Sequence, residues 1–172
     1  MAAAQAISLR HAVAVSNVFV LMVGVSMAAP LLRLPQLVTG SIVNATLLVT
    51  TVVLGPRAAI GVGILPSLFA VVSGQLPAGL VPLVPLIMTG NALLVVVFHL
   101  VHHRGWWLGV AAAAAVKFCW LSGSTTLLTL TTGLLAGPAA VLAVAVMGWP
   151  QLVTALCGGM IAFTVLRPAR RR

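Results

Sequence analysis

The chain is a series of long apolar runs, interrupted by short clusters of proline, glycine and basic residues. In lipid, a helix satisfies its own backbone, so the runs predict spanning helices and the clusters predict helix ends. The pattern predicts an all-α integral membrane bundle of six transmembrane helices in a single domain. The spans are expected at about 12–29, 36–54, 57–73, 85–101, 106–132 and 139–166, followed by a basic tail at 167–172.

The basic residues predict the orientation of the bundle. With the N-terminus inside, seven arginines fall in inside segments and only Arg33 falls outside, which is the bias of cytoplasmic loops. Both termini are therefore expected in the cytoplasm. The seven are Arg10, Arg57, Arg104, Arg167, Arg170, Arg171 and Arg172.

Two runs leave alternatives open. Arg10 and the Ser26-Met27-Ala28 triplet resemble a cleaved signal peptide, but about 18 apolar residues exceed the usual signal core of about 7–15. The last run is either one long span or two helices broken at Trp149-Pro150. The pentapeptide Pro-Gln-Leu-Val-Thr occurs at 35–39 and again at 150–154, which suggests that the final helix starts at Pro150 and parallels the second.

The composition supports a lipid environment and excludes much chemistry. Hydrophobic residues make up 62% of the chain and charged residues 5%, whereas soluble domains carry about 25% charged residues. Nine Lys and Arg face no Asp or Glu, so they must pair with lipid phosphate, a bound anion or an acidic partner. Without carboxylates, paired-carboxylate hydrolysis, Asp-based magnesium sites and acidic proton relays are excluded. The charges are scattered between apolar runs, which argues against nucleic acid as a partner.

Polar residues inside the apolar runs mark the candidate site. An amide or hydroxyl without a partner in lipid costs several kcal/mol, so such groups face one another or a cavity. At about 1.5 Å per residue, Asn44, Ser67 and Asn91 lie roughly 12, 10 and 9 Å from the outer helix ends, in one layer. This layer either ties helices together or lines a pocket that opens outward. The candidate substrate-binding residues are Gln36, Asn44, Ser67, Gln75, Asn91, Lys117 and Gln151.

Lys117 is a separate candidate, because an ammonium within a spanning helix costs about 2.5 kcal/mol or more and is functional by default. It could snorkel, bind backbone carbonyls, contact an anionic ligand or meet a carboxylate on a partner chain. No catalytic residue is expected, since no histidine follows His103 to pair with a serine such as Ser122. No metal site is expected either, because His99 and His103 lack a third ligand.

Five short stretches complete the picture: PQLVTGSIVNA at 35–45, GP at 55–56, LPS at 65–67, GQLP at 74–77 and GNA at 90–92. This set resembles the substrate-binding (S) components of energy-coupling-factor (ECF) transporters, closest to the small, poorly characterised members. The resemblance implies a six-helix subunit in the cell membrane of a prokaryote, which captures a small vitamin-like metabolite from outside. It implies a transmembrane coupling subunit and two ATPase subunits as partners, with no cofactor or enzyme activity in this chain.

The alternative is a structural or assembly membrane protein whose polar layer only packs helices. It predicts no saturable ligand, and little effect of Asn44→Leu beyond stability. In either case, anionic lipid is expected at the basic cytoplasmic ends.

Overall fold

The structure is a computed structural model that describes residues 2–32, 34–74 and 76–167, with side chains from residue 12 onward. Every regular element in these ranges is helical. The helices are α1 (Ala2–Leu31), α2 (Gln36–Leu54), α3 (Pro56–Val72), α4 (Val84–Val101), α5 (Trp106–Thr132), α6 (Gly137–Met147) and α7 (Trp149–Leu166), with short 3-10 helices at Ala78–Leu83 and His102–Arg104.

Five helical stretches are long and apolar enough to cross a membrane: Ala12–Leu31, Gln36–Leu54, Ala78–Arg104, Trp106–Thr132 and Gly137–Leu166. The remaining apolar helix, α3, is shorter, at 17 residues. Bulky apolar side chains point outward, among them Val72 at 86% and Leu130 at 78% exposure. The chain is therefore an all-α bundle with the features of a multi-pass membrane protein.

Glycines place the helix ends in the middle of the chain. Gly55 follows α2, and Gly105 and Gly133 flank α5. Each of the three has a positive φ that other residues rarely adopt. The observed ends of α2, α3, α4 and α5 lie within one residue of the expected ends. The exception is α1, which starts ten residues early because its first residues are alanine-rich and favour helix. Pro30 lies in the last turn of α1, and the helix ends one residue later, at Leu31.

The expected sixth span is interrupted. α6 ends at Met147 and α7 begins at Trp149, with Gly148 at φ −84° and ψ −135° between them. Pro150 lies in the first turn of α7, where its missing N–H would have no intrahelical partner. Residues 137–166 thus form two helices, and the break lies one residue before the Trp149-Pro150 pair.

The repeated pentapeptides begin neighbouring parallel helices. α2 and α7 form the most extensive helix pair, in which Gly40 faces Thr154 and Gly158 faces Asn44. Contacts advance by four residues in the same direction along both helices, so the helices are parallel. A Cβ at Gly158 would lie 2.8 Å from the backbone nitrogen of Ala45, so glycine permits this close approach.

The two ends of the bundle differ. At the closed end, where α2 meets α3 and α4 meets α5, a continuous apolar cluster fills the space between helices. Phe98 is fully buried there and contacts the rings of His102 and Trp106, at centroid distances of 4.9 and 5.0 Å. The connections α1–α2, α3–α4 and α5–α6 lie at the opposite end, called here the open end.

Candidate functional site

A cavity of about 700 Å³ enters the bundle at the open end. Most of its described apolar lining comes from α2, α3, α4 and α6, and the remainder from α1, the connections and the 3-10 helix Ala78–Leu83. Six of the seven residues predicted to bind substrate border it, namely Gln36, Asn44, Ser67, Asn91, Lys117 and Gln151. The seventh, Gln75, lies outside the described residues.

Lys117 lies at the centre of a buried polar network. Its side chain is only 3% exposed, and its Nζ donates to Oδ1 of Asn44 at 2.6 Å and to Oδ1 of Asn91 at 2.8 Å. The three residues stand near the middle of α5, α2 and α4, so the helices present them at one depth. Lys117, which the sequence analysis considered apart from the polar layer, therefore belongs to the same layer as Asn44 and Asn91.

The direction of each hydrogen bond in this network follows from the backbone carbonyls at which the network ends, because a carbonyl can only accept. Asn91 Nδ2 donates to the carbonyl oxygen of Gly63 at 2.9 Å. Asn44 Nδ2 donates to Oγ1 of Thr154 at 3.2 Å, while that hydroxyl gives its proton to the carbonyl of Gln151 at 3.1 Å. Both amide oxygens must therefore face Lys117. The network joins five helices, α2, α3, α4, α5 and α7.

The network also forms the floor of the cavity. In each of its helices, the residues of the closed-end cluster lie on one side of the network residue. The cavity-lining residues lie on the other side, as Val43 and Ser67 do in α2 and α3. The polar layer is thus the boundary between a filled half of the bundle and a half that holds the cavity, where a smaller apolar cluster packs α5, α6 and the 3-10 helix Ala78–Leu83 together.

Lys117 retains hydrogen-bonding capacity. An ammonium has three N–H donors, and the asparagines take two of them. Within residues 2–32, 34–74 and 76–167, no further acceptor contacts Nζ, and Lys117 borders the cavity. The chain has no Asp or Glu, so two neutral amide oxygens are all that offsets the charge from the described side chains.

Ser67 offers a second unused group. Its side chain is 8% exposed and borders the cavity, and its hydroxyl makes no hydrogen bond to the part of the chain that the structure describes. Many helical hydroxyls elsewhere bond to a carbonyl three or four residues back, as Ser41 does to Leu37 at 2.6 Å. Pro66, inside α3, has no N–H to donate to the carbonyl of Val62 four residues earlier. The observed polar contact falls on the neighbouring carbonyl, that of Gly63.

Two glutamines converge beside the helix break. Gln36 Nε2 and Gln151 Nε2 both donate to the carbonyl oxygen of Val146, at 3.2 and 3.1 Å. Val146 is in the last turn of α6, where carbonyls have no intrahelical donor. The second position of each repeated pentapeptide thus caps α6 at the edge of the cavity.

Sequence reasoning missed three members of the site, namely Thr154 and the carbonyls of Gly63 and Val146. Thr154 could have been found from its place in the second pentapeptide, three residues after Gln151. The carbonyls carry no sequence signal, because every residue has one.

The arrangement is suited to holding a small molecule: donors lie at the base of the cavity and apolar walls rise above them. Discrete polar groups in an apolar pocket are the usual composition of a ligand site. Comparisons with protein-family models, with curated proteins and with solved structures find no match for this chain.

Proposed function

We propose that this chain is the membrane-embedded substrate-binding subunit of an ECF-type importer, which captures a small vitamin-like metabolite from outside for ATP-driven uptake. The observation that carries the proposal is the cavity that ends on Lys117, Asn44 and Asn91. A buried ammonium is costly in lipid, and one that borders a cavity is typical of a binding site. The break between α6 and α7 beside the same cavity supports this, since interrupted helices often line transporter sites.

The proposed topology has six crossings, with α6 and α7 together forming the last, and both chain ends in the cytoplasm of a prokaryotic cell. Its support is the position of the arginines. The three whose side chains the structure describes, Arg57, Arg104 and Arg167, are exposed at the closed end. By the positive-inside rule, that end faces the cytoplasm, where anionic lipid can neutralise it. The cavity then opens to the outside.

The orientation can be measured by labelling single cysteines on intact cells with a membrane-impermeant maleimide, after Cys119 and Cys157 are replaced by alanine. Leu134→Cys, at an exposed position of the open end, should be labelled on intact cells, whereas Arg104→Cys should react only after permeabilisation. Labelling with the opposite pattern would contradict the proposed topology.

The proposed partners are a transmembrane coupling subunit and two ATPase subunits, which would supply the ATP chemistry. The support is the sequence resemblance together with the sparse coverage of α1. This helix packs on α2 and α3, and leaves Val20 at 67% and Leu21 at 58% exposure. Lipid or a coupling subunit can cover this surface.

One observation favours a second candidate, a structural or assembly role. Asn44 and Asn91 use both ends of their amides within the protein, and so tie five helices together without any ligand. A structural role requires nothing to occupy the cavity. The two functions therefore differ in whether a molecule is bound.

The test is to purify the protein in mild detergent from cells grown in rich medium, denature it, and analyse released small molecules by mass spectrometry. Ala70→Phe places a ring in the cavity, while the matched Val72→Phe changes a lipid-facing residue of the same helix. We expect about one metabolite per chain from the wild type and from Val72→Phe, and none from a folded Ala70→Phe variant. A wild type that releases nothing would favour the structural role.

A further inference from the structure

The base of the cavity holds one ionisable side chain, the amine of Lys117, with no described carboxylate beside it. Lys117 is 3% exposed and has only amide oxygens as described partners, and the sequence contains no Asp or Glu. Removing an ammonium from water costs several kcal/mol unless an opposite charge compensates it. A molecule in the cavity can supply that charge, together with an acceptor for the third N–H of Nζ.

The number of ionisable side chains that line the cavity limits the number of charges that a ligand can carry. Among the described lining residues, Lys117 is the only ionisable side chain, and the remaining polar groups are amides and hydroxyls. A phosphate ester or a dicarboxylate would bring a second negative charge to this depth without a cation beside it. A ligand with a positive group would find no carboxylate. One negative charge fits best.

The walls limit the body of the ligand. They are aliphatic around the polar base, and the described lining contains no Phe or Trp. Flat aromatic ligands gain much of their affinity by stacking on aromatic side chains, which this wall does not offer. The residues that form it include Val43, Leu80, Val84, Ile87, Leu142 and Met147.

We infer that the cavity binds an aliphatic monocarboxylate, whose carboxylate accepts the third N–H of Lys117 while Ser67 bonds to a polar group of the same molecule. This inference rests on the proposed function and names its class of substrate. The volume of about 700 Å³ lies within the range of about 300–1,000 Å³ usual for small-molecule pockets.

The first test counts carboxylates on the molecule released from the denatured wild-type protein. An isotope-coded amine, coupled with a carbodiimide, adds one defined mass increment per carboxylate. One increment on a molecule without aromatic absorbance is expected. None, or more than one, would overturn the inference while leaving a bound metabolite in support of the proposed function. Partition of the released molecule between water and hexane at low pH then separates a soluble metabolite from a membrane fatty acid.

The second test uses a matched pair of probes, cyclohexanecarboxylate and its neutral isostere cyclohexanecarboxamide, in calorimetric titrations of ligand-free protein. The wild type should bind the carboxylate about tenfold more tightly than the amide, equivalent to about 1.4 kcal/mol. Lys117→Met should abolish this preference, and the lipid-facing variant Val72→Phe should keep it. Equal binding of both probes by the wild type would overturn the inference.

Because Lys117→Met also disturbs the network, Ser67→Ala provides a second variant that leaves every observed hydrogen bond of Lys117 in place. It should weaken carboxylate binding a few-fold yet retain the preference for carboxylate over amide. Loss of the preference for carboxylate over amide in this variant would show that Lys117 is not the group that selects the charged ligand.

Discussion

The closed end of the bundle is filled by one continuous apolar cluster, whereas the open end combines a smaller apolar cluster with the cavity. At the closed end, a 3-10 helix joins α4 to α5, but the described α-helices there contain no break and no proline beyond the first turn, and residues such as Phe98 and Trp106 occupy the space between them. At the open end, Pro66 lies inside α3, a 3-10 helix precedes α4, and Gly148 separates α6 from α7. Eight of the ten prolines lie in this half: Pro30, Pro35, Pro66, Pro77, Pro82, Pro85, Pro138 and Pro150.

The difference shows how a small membrane protein can form a cavity without a larger fold. Interrupted helices cannot interdigitate along their whole length, so space remains wherever no bulky side chain fills it. The Lys117 network lies at the depth where the uninterrupted part begins. The predictions below separate the roles of the two ends.

The largest effect is expected from Phe98→Ala at the closed end. The ring is fully buried against His102 and Trp106, so its removal should cost about 3–5 kcal/mol of unfolding free energy. Ile87→Ala should cost less, because that side chain packs on the apolar cluster of the open end on one side and borders the cavity on the other. Unfolding by denaturing detergent in mixed micelles measures both, and equal losses would show that the two ends are packed alike.

Gly158→Ala should have the next largest effect. The added Cβ would lie 2.7 Å from Cβ of Asn44 and 2.8 Å from the backbone nitrogen of Ala45, so α2 and α7 must separate, at about 1–3 kcal/mol. Gly61→Ala is the control, because nothing lies within 4 Å of its added Cβ. If both variants have the wild-type stability, the close α2–α7 contact does not exist.

Asn91→Leu should destabilise the protein by about 1–3 kcal/mol, because it removes an acceptor from Lys117 and leaves that donor buried. Adding Lys117→Met should cost less than the two separate losses combined, since the pair acts as one unit. A double-mutant cycle of unfolding free energies measures this coupling. Strict additivity would argue against the hydrogen bond between them.

The smallest effect is expected at the mouth of the cavity. Gln36→Leu and Gln151→Leu each remove one donor to the same carbonyl of Val146, so each should cost about 0.5–1.5 kcal/mol. Because the two donors share one acceptor, the second loss should exceed the first. Thermal denaturation of the two single variants and the double variant checks this order.

Much of the fold could be predicted from the sequence, because local signals decide it. Clusters of glycine, proline and basic residues between long apolar runs placed the ends of α2 to α5 within one residue. The candidate residues were also found locally, since a polar side chain is conspicuous in an apolar run. The extension of α1 to Ala2 was missed, because the search for a spanning segment ignored alanine-rich helix outside it.

What the sequence by itself determined was therefore an all-helical membrane chain and a short set of polar positions within it. Only the tertiary structure decided that Lys117 meets Asn44 and Asn91, and that Gln36 and Gln151 share one carbonyl. These contacts join residues far apart in the chain, and they depend on the rotation and depth of each helix. The packing of glycines against neighbouring backbones helps to set that geometry, and no single segment records it.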